Sequence, residues 1–197
     1  MSRVPLLGLL LAGGQSRRMG KEKASLSYAG STQPERVAKL LQAHCNEVFL
    51  SLRTGQAKMG KVRYLPVVRD SREGGGPLVG ILSAFDAKPD AAWLVVACDL
   101  PFLDNATLDN LLAKRDSTRL ATAYRSAHDG LPEPLCAIYE PHARPVLEDY
   151  FARDICCPRK ILINTEPLLL DPVNPRALDN VNTPEDYQEA VHILSSS

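Results

Sequence analysis

The sequence predicts one α/β domain built on a doubly wound, mostly parallel sheet with a layer of helices on each face. Three observations predict it: an uninterrupted apolar run near the start of the chain, a regular alternation of strand-like and helix-like segments, and short connections between them. The chain has 197 residues, of which 45% are apolar and 23% charged. Because this length and composition suit one packed core, we expect a single domain spanning residues 1–197.

The clearest strand pattern in the first half of the chain lies near its start. Residues 6–12 are apolar without interruption, which is typical of a strand buried on both faces of a parallel sheet. Pro34 suits the start of a helix that carries apolar residues on one side at helical spacing. Further strands are predicted over residues 48–52 and 62–68, and a glycine loop closed by proline precedes a helix over residues 78–87.

The second half continues the alternation. Residues 91–98 are the most strand-like segment of the chain, and Asp104 or Asn105 can cap the helix that follows. Because ligands of doubly wound sheets bind beyond the carboxyl ends of the strands, the residues that follow each strand are the site candidates. The remaining predicted elements are short strands over residues 120–124, 135–139 and 161–164, with a helix over about residues 142–153 between the last two.

Charge and cysteine content exclude several classes of partner. Twenty-three basic residues balance twenty-three acidic ones, so nucleic acid is not indicated as a partner. The five cysteines contain no C-x-x-C pair, which argues against a disulfide framework or zinc ribbon and for a reducing, cytoplasmic compartment. Adjacent Cys156 and Cys157 leave a redox or metal role open. The apolar run over residues 4–14 resembles a signal segment superficially, but spanning a bilayer takes about 20 residues, so no membrane partner is expected.

A glycine-bounded basic loop over residues 13–23 follows the first strand. Glycines let backbone N–H groups approach a phosphate, whose charge the basic side chains would neutralise. The loop is not a Walker A loop, because five residues separate Gly14 from Gly20 and because Glu22 stands where Ser or Thr should bind magnesium. It predicts a polyphosphate cradle, with a solvated basic turn as the alternative. Its cations are Arg17, Arg18, Lys21 and Lys23.

Two acidic residues follow predicted strands. Asp99 comes directly after residues 91–98, where a carboxylate can bind a hard divalent cation. Magnesium typically takes one or two carboxylates together with substrate phosphates. Asp70 follows residues 62–68 and could accept a hydrogen bond from a nucleobase or ribose. Either acid could instead only shape a turn.

Two further motifs are candidates for the acceptor side of a site. Asn180 and Asn182 alternate on a short extended stretch and therefore point to the same side, and Thr183 is expected to cap the last helix. Glu133 lies between two prolines just before a predicted strand. Its side chain could face an acceptor or only shape the turn. The four histidines form no pattern with Ser or Cys, so the substrate is expected to bring its own nucleophile.

Together these segments resemble the molybdenum cofactor guanylyltransferases, the MobA-like group of nucleotidyltransferases. The motif L-A-G-G-x-S-x-R-M-G-x-D-K of that family is matched by residues 11–23, except that Glu22 stands where Asp is usual. Its motifs G-P-L-x-G-I, C-D-x-P and N-V-N-T-P-E-D appear at residues 76–81, 98–101 and 180–186. Four motifs in the same order cover nearly the whole chain, so the resemblance is strong.

The resemblance implies a Rossmann-like fold and transfer of GMP from MgGTP to the terminal phosphate of the molybdenum–molybdopterin cofactor, with release of pyrophosphate. It implies Mg²⁺ as cofactor, and cofactor-insertion proteins and apo-molybdoenzymes as further partners. The family often has Asn near the end of the second strand, where this chain has Ser51-Leu52-Arg53. The implied site residues are Arg17, Lys23 and Asp99 for catalysis; Leu11, Ala12, Gly13, Gly14, Lys23, Asp70 and Asp99 for the nucleotide; Asp99 for the metal; and Asn180 and Asn182 for the acceptor.

Other functions remain open on the sequence. The nearest is a cytidylyltransferase acting on the same pterin cofactor, or a nucleotidyltransferase with another small phosphorylated acceptor. L-A-G-G rather than L-A-A-G, and Asn182 rather than Asp, favour the guanylyl group. A non-catalytic adaptor that binds nucleotide and hands over the cofactor is a further alternative. Lys23 and Asp99 together argue against an adaptor, since a protein that only binds nucleotide does not need a carboxylate that holds a metal ion.

Overall fold

Strands and helices alternate along the computed structural model, which describes residues 4–12, 27–28, 31–57, 60–181 and 183–195. No helix in these ranges has the length and apolar character needed to cross a membrane. The strands are β1 (Leu6–Leu11), β2 (Ser27–Tyr28), β3 (Ser31–Thr32), β4 (Val48–Leu52), β5 (Val67–Arg69), β6 (Ala92–Ala97), β7 (Ala121–Arg125), β8 (Pro132–Tyr139) and β9 (Leu168–Leu170). The helices are α1 (Gln33–His44), α2 (Pro77–Ala87), α3 (Asn105–Ala113), α4 (Ala143–Ala152), α5 (Pro158–Ile163) and α6 (Pro184–Ser195).

Seven strands form one sheet in the order β5-β4-β1-β6-β8-β7-β9, and β2 and β3 form a separate antiparallel pair. Within the seven-stranded sheet, β8 runs antiparallel to both of its neighbours and the other strands run parallel. The chain passes from β1 outward to β4 and β5 and then returns to the other side of β1 as β6. This reversal creates a topological switch point at β1, where open α/β sheets bind their ligands. The predicted doubly wound, mostly parallel sheet is confirmed.

The apolar core lies on both faces of the sheet, which explains why β1 is apolar throughout. On one face, Leu10 packs in a cluster with residues of α1 and α3. On the other face, Leu9 packs with residues of α2, α4 and α5, and both leucines are fully buried. Because successive strand residues point to opposite faces, a strand covered on both sides has no polar position. The three-layer arrangement of the prediction is therefore confirmed.

The predicted strand over residues 62–68 is largely wrong. A 3-10 turn covers Gly60–Val62, and the strand begins only at Val67. Val62 and Leu65 are both buried, and the N–H of Leu65 donates to the carbonyl of Val62 at 3.1 Å. This spacing of three residues places both side chains on the inner side of a turn, and Pro66 adds no N–H for a ladder.

The predicted strand over residues 161–164 is also wrong, because these residues belong to α5 and its end. Pro158 opens this helix, and Ile161 and Leu162 bury its inner side against the sheet. A short apolar run does not distinguish a buried helix from a buried strand. The strand at this end of the sheet is instead β9, which the sequence did not predict.

Both predicted caps at helix starts are present. The side chain of Asp104 accepts a hydrogen bond from the N–H of Thr107 at 2.8 Å, which starts α3. At α6, the N–H of Asp186 donates to the hydroxyl of Thr183, while the N–H of Thr183 donates to the carboxylate of Asp186. This reciprocal pair satisfies two backbone donors that the first turn leaves open.

Candidate functional site

The carboxyl ends of β1, β4, β5 and β6 meet at one edge of the sheet. The N–H of Cys98 donates to the carbonyl of Leu11 at 3.2 Å, and the N–H of Asp70 donates to the carbonyl of Leu52 at 3.1 Å. These backbone bonds continue the ladder one residue beyond the strands. They bring Ala12, Asp70 and Asp99 to the same edge, as the sequence predicts.

Several predicted site residues lie outside the described residues. They belong to the loop after β1, apart from one residue of the stretch that precedes α6. The phosphate-binding part of the candidate site therefore rests on the sequence. The residues are Gly13, Gly14, Arg17, Lys23 and Asn182, together with Arg18, Lys21 and Glu22.

Asp99 lies in the turn that follows β6 and is half-buried. Its backbone carbonyl accepts a hydrogen bond from the N–H of Val181 at 3.1 Å, which joins the strand end to the stretch before α6. Asn180, the neighbour of Val181, is exposed beside this junction. The structure therefore brings Asp99, the predicted metal ligand, close to Asn180, which is predicted to face the acceptor substrate.

The donor set at this edge fits a magnesium ion that shares its ligands with a substrate. The described residues contain no group of three or more His, Cys, Asp or Glu that could hold a metal alone. Mg²⁺ keeps several waters and binds through one or two carboxylates plus phosphates. Asp99, which is half-buried at this edge, would supply one such carboxylate, and a bound triphosphate would supply the phosphates.

Asp70 is half-buried, and its backbone is held on both sides. Besides the bond from its N–H to Leu52, its carbonyl accepts from the hydroxyl of Thr54 at 3.2 Å. Burial raises the pKa of the Asp70 carboxyl above its ordinary value, and the nearby Arg53 partly opposes this effect. An acid whose ionised form is disfavoured at a strand end is a candidate for ligand binding.

We expect Asp70→Asn to raise the free energy of unfolding at neutral pH. A raised pKa means that the folded state binds the proton more tightly than the unfolded state, so the protonated acid stabilises the fold. That stabilisation is complete below the ordinary aspartate pKa and is lost as the pH rises through the raised pKa. Urea unfolding of both proteins at neutral and acidic pH measures the difference, which should vanish in acid.

Asp116→Asn is the control of opposite sign. Hydrogen bonds from the hydroxyl and N–H of Thr118 lower the pKa of Asp116. Its replacement should therefore destabilise the protein at neutral pH and have no effect in acid. A loss of stability at neutral pH in Asp70→Asn would contradict the prediction.

Gln56, which the sequence analysis did not single out, forms hydrogen bonds that connect the end of β1 to the end of β4. Its amide N–H donates to the carbonyl of Ala12 at 3.3 Å, and its amide oxygen accepts from the N–H of Arg53 at 3.1 Å. Arg69, at the end of β5, donates to the carbonyls of Arg53 and Gln56 at 3.2 and 3.0 Å. One signal could have found it: the usual Asn near the end of the second strand is missing here, and Gln56 is the next amide along the chain.

The glycine loop before α2 adopts a backbone that other residues rarely adopt. Gly74, Gly75 and Gly76 have φ values of 73°, 68° and 54°. At Gly75 a Cβ atom would lie 2.6 Å from Cγ2 of Val79 and 2.8 Å from Cε2 of Phe151. The loop is therefore pressed against α2 and the end of α4, and glycine is required there for space as well as for conformation.

We expect Gly75→Ala to destabilise the protein more than Gly74→Ala does. Both substitutions place a Cβ at positive φ, which costs on the order of 1 kcal/mol. Gly74 has open space around it, whereas a Cβ at Gly75 meets two side chains and adds an overpacking cost of about 1–3 kcal/mol. Urea unfolding of both variants measures the difference, and equal losses would contradict the packing argument.

A cavity of about 560 Å³ adjoins the glycine loop at this edge of the sheet. Cys156 and Cys157 both contribute to its wall. Arg159 lies beside them and pairs with Glu133 at 2.9 Å and with Asp129 at 3.0 Å. Glu133, the predicted strand-entry acid, is thus held in an ion pair. The cavity is lined by Gly75, Gly76, Pro77, Pro134, Leu135, Cys156, Cys157, Pro158 and Arg159.

A mostly parallel sheet with one antiparallel strand, a switch point at β1 and acids at the ends of β5 and β6 define an α/β domain whose ligand site lies at the carboxyl ends of its strands. The chain belongs to the MobA-like NTP transferase domain family, whose model matches residues 8–167. The family assignment predicted from the sequence motifs is confirmed, and the chain is a nucleotidyltransferase.

Individual relatives agree with this family. A probable molybdenum cofactor guanylyltransferase of Pelotomaculum thermopropionicum is 34% identical over 93% of this chain and 90% of its own length. A molybdenum cofactor biosynthesis bifunctional protein of Synechocystis sp. is 38% identical over 95% of this chain, which spans only 54% of that relative. Among solved structures, the molybdopterin-guanine dinucleotide biosynthesis protein A of Archaeoglobus fulgidus superposes with a TM-score of 0.79 at 25% identity, covering 97% of this chain and 100% of its own.

Proposed function

We propose that the protein transfers GMP from MgGTP to the molybdenum–molybdopterin cofactor, releasing pyrophosphate and forming the guanine dinucleotide cofactor. The observation that carries this proposal is the placement of Ala12, Asp70 and Asp99 at the carboxyl ends of β1, β5 and β6, along one edge of the sheet. The names of the relatives support the choice of guanylyl transfer and of the pterin acceptor.

The nucleotide would lie across the ends of β1, β5 and β6. Leu11 and Ala12 would contact it at the end of the central strand, where Gln56 holds the Ala12 carbonyl. Asp70 would accept a hydrogen bond from the base or ribose. Gly13 and Gly14 would let the backbone approach the phosphates, and Arg17 and Lys23 would neutralise them.

The reaction needs no nucleophile from the protein. An oxygen of the acceptor phosphate attacks the α-phosphorus, a new P–O bond forms, and the bond to the bridging oxygen breaks with its electron pair leaving on pyrophosphate. Magnesium, when bound, supplies charge neutralisation for the triphosphate. Asp99 would hold that ion, while Arg17 and Lys23 would align and neutralise the α-phosphate and the departing group.

The acceptor would approach from the side of Asn180 and Asn182. The bond between Val181 and Asp99 supports this assignment, because it holds that stretch beside the proposed metal acid. The cavity next to the glycine loop offers additional room at the same edge. We propose the cytoplasm as the location, and cofactor-insertion proteins and apo-molybdoenzymes as later partners.

We also propose that the domain extends over residues 1–197, beyond the 8–167 that the family model matches. Val181 and Ala190 are buried in a small cluster with Phe102, which attaches α6 to the turn after β6. A helix packed beside Asp99 belongs with the site rather than with a separate unit.

A nucleotide-preference assay tests the proposed function. The purified protein is incubated with Mg²⁺, the purified molybdenum–molybdopterin cofactor and each of four labelled nucleoside triphosphates in turn. Preferential pyrophosphate release from GTP, together with label transfer to the cofactor, is the expected result. Preferential use of CTP would identify a cytidylyltransferase, and GTP binding without pyrophosphate release would favour the adaptor.

A further inference from the structure

We propose that Ser83 is a positioning residue for the nucleotide site: its buried hydroxyl, in the middle of α2, fixes the turn that carries Asp70. The inference rests on the proposed nucleotide role of Asp70 and deepens it. Ser83 itself would not touch the nucleotide. It would act through the backbone of the residue that follows Asp70.

The hydroxyl of Ser83 connects α2 to the end of β5. Ser83 is 3% exposed, and its Oγ accepts a hydrogen bond from the N–H of Ser71 at 2.9 Å. The same hydroxyl donates to the carbonyl of Val79 at 2.7 Å, one turn earlier in α2. Since its single proton is used within the helix, its oxygen is oriented to accept from the turn. Ser83 is the one polar residue in the buried stretch Leu78 to Phe85.

A second contact holds the same turn from outside. The hydroxyl of Ser71 donates to Oδ2 of Asp86, one helical turn beyond Ser83, at 2.8 Å. Arg72 donates to the same oxygen at 2.6 Å, and Arg144 of α4 donates to the other carboxylate oxygen at 2.9 Å. The turn after Asp70 is thus bound to α2 at an inner and an outer point.

These bonds determine the backbone conformation of Asp70. Its own N–H is held by Leu52 of β4, and the next N–H in the chain, that of Ser71, is held by Ser83. The φ and ψ angles of Asp70 lie between these two nitrogen atoms, so fixing both N–H groups fixes both angles. Within the described part of the chain, no hydrogen bond to the Asp70 carboxylate is present, so its position depends on the Cα–Cβ direction that the backbone sets and on the rotamers which that backbone allows.

The first experiment measures the dissociation constant for GTP, with Mg²⁺ present, by calorimetry. Ser83→Ala removes one oxygen atom and leaves the N–H of Ser71 without its partner, and we expect about 10-fold weaker binding. Thr165→Val is the matched control, because the Thr165 hydroxyl also donates to the carbonyl four residues earlier, at 2.9 Å, but has no contact with the turn. This control should bind GTP as the unaltered protein does.

A double-mutant cycle separates positioning from a general structural effect. If Ser83 acts through Asp70, Ser83→Ala should change GTP affinity less than about 2-fold when Asp70→Ala is already present. An undiminished 10-fold loss in the Asp70→Ala background would overturn the proposal. Unchanged affinity in Ser83→Ala alone would overturn it as well.

A second variant guards against loss of the fold. If Ser83→Ala does not fold, Asp86→Asn is the substitute, because it weakens the bond from the Ser71 hydroxyl at a partly exposed residue. We expect Asp86→Asn to weaken GTP binding about 3-fold, again only when Asp70 is present. Failure of the proposed function gives a different result: the unaltered protein then binds neither GTP nor another nucleoside triphosphate. In that outcome the positioning role is refuted together with the nucleotide site.

Discussion

Asp99→Ala is expected to lower the rate of pyrophosphate release by about 100-fold or more. Removing one charged partner from a site that stabilises developing charge commonly costs about 3 kcal/mol of barrier. The fold should survive, because the contact that Asp99 makes with Val181 uses its backbone carbonyl, which alanine keeps. Turnover with GTP and the pterin cofactor, together with thermal unfolding of the same sample, measures both parts of the expectation.

Two controls accompany this variant. Asp99→Asn keeps the shape and removes the charge, so it should lose nearly as much activity as Asp99→Ala. Asp90→Ala removes an exposed acid before β6, at the opposite edge of the sheet, and should leave turnover unchanged. Near-normal turnover in Asp99→Ala would contradict the assignment of Asp99 as the residue that binds Mg²⁺.

Glu140→Ala is expected to reduce the free energy of unfolding by about 3–5 kcal/mol, the largest effect on stability that we predict. Glu140 is 1% exposed, and it accepts two hydrogen bonds from Arg115, at 2.6 and 2.8 Å. Removing its carboxylate leaves a largely buried guanidinium without a partner. Urea unfolding measures the loss. Turnover of the folded fraction should be unchanged, because Glu140 follows the end of β8, at the edge opposite the site.

An exposed ion pair supplies the comparison. Asp149 and Arg153 are both more than half exposed and lie 3.4 Å apart on α4. Since water screens such a pair, Asp149→Ala should cost less than about 1 kcal/mol. If Glu140→Ala also costs less than about 1 kcal/mol, the buried pair does not stabilise the fold as we expect.

The parts of the fold that the sequence predicts well are those decided by one strong local pattern. Residues 6–12 are apolar without interruption, which favours a strand covered on both faces, and Asp104 and Thr183 mark helix starts through their own side chains. The two strands predicted wrongly depend on weaker patterns. Over residues 62–68 and 161–164, a few apolar residues fit a turn or helix as well as a strand, and tertiary packing decides between them.

The candidate site shows the same division. Asp70 and Asp99 were predictable because they follow strands directly, and strand ends meet at one edge of a parallel sheet. Gln56 was not predicted, because its partner Ala12 lies 44 positions earlier in the chain and only the missing Asn near the end of β4 pointed to a nearby amide. The role of Ser83 was not predictable either, because a serine in an apolar helix does not reveal its bond to the N–H of Ser71. Roles that depend on long-range contacts leave little trace in local sequence.

The antiparallel direction of β8 has a consequence for how such a domain can vary. Because β8 runs against its neighbours, the connection between β7 and β8 is a short hairpin at the same edge as Asp99, closed by a bond from the N–H of Ser126 to the carbonyl of Leu131 at 2.8 Å. A longer hairpin would leave the pairing of the two strands unchanged, and each doubling of loop length costs only about 0.6 kcal/mol. New residues could thus be added at the edge that carries Asp99 without rebuilding the sheet, which makes this hairpin a place to vary the acceptor that we propose.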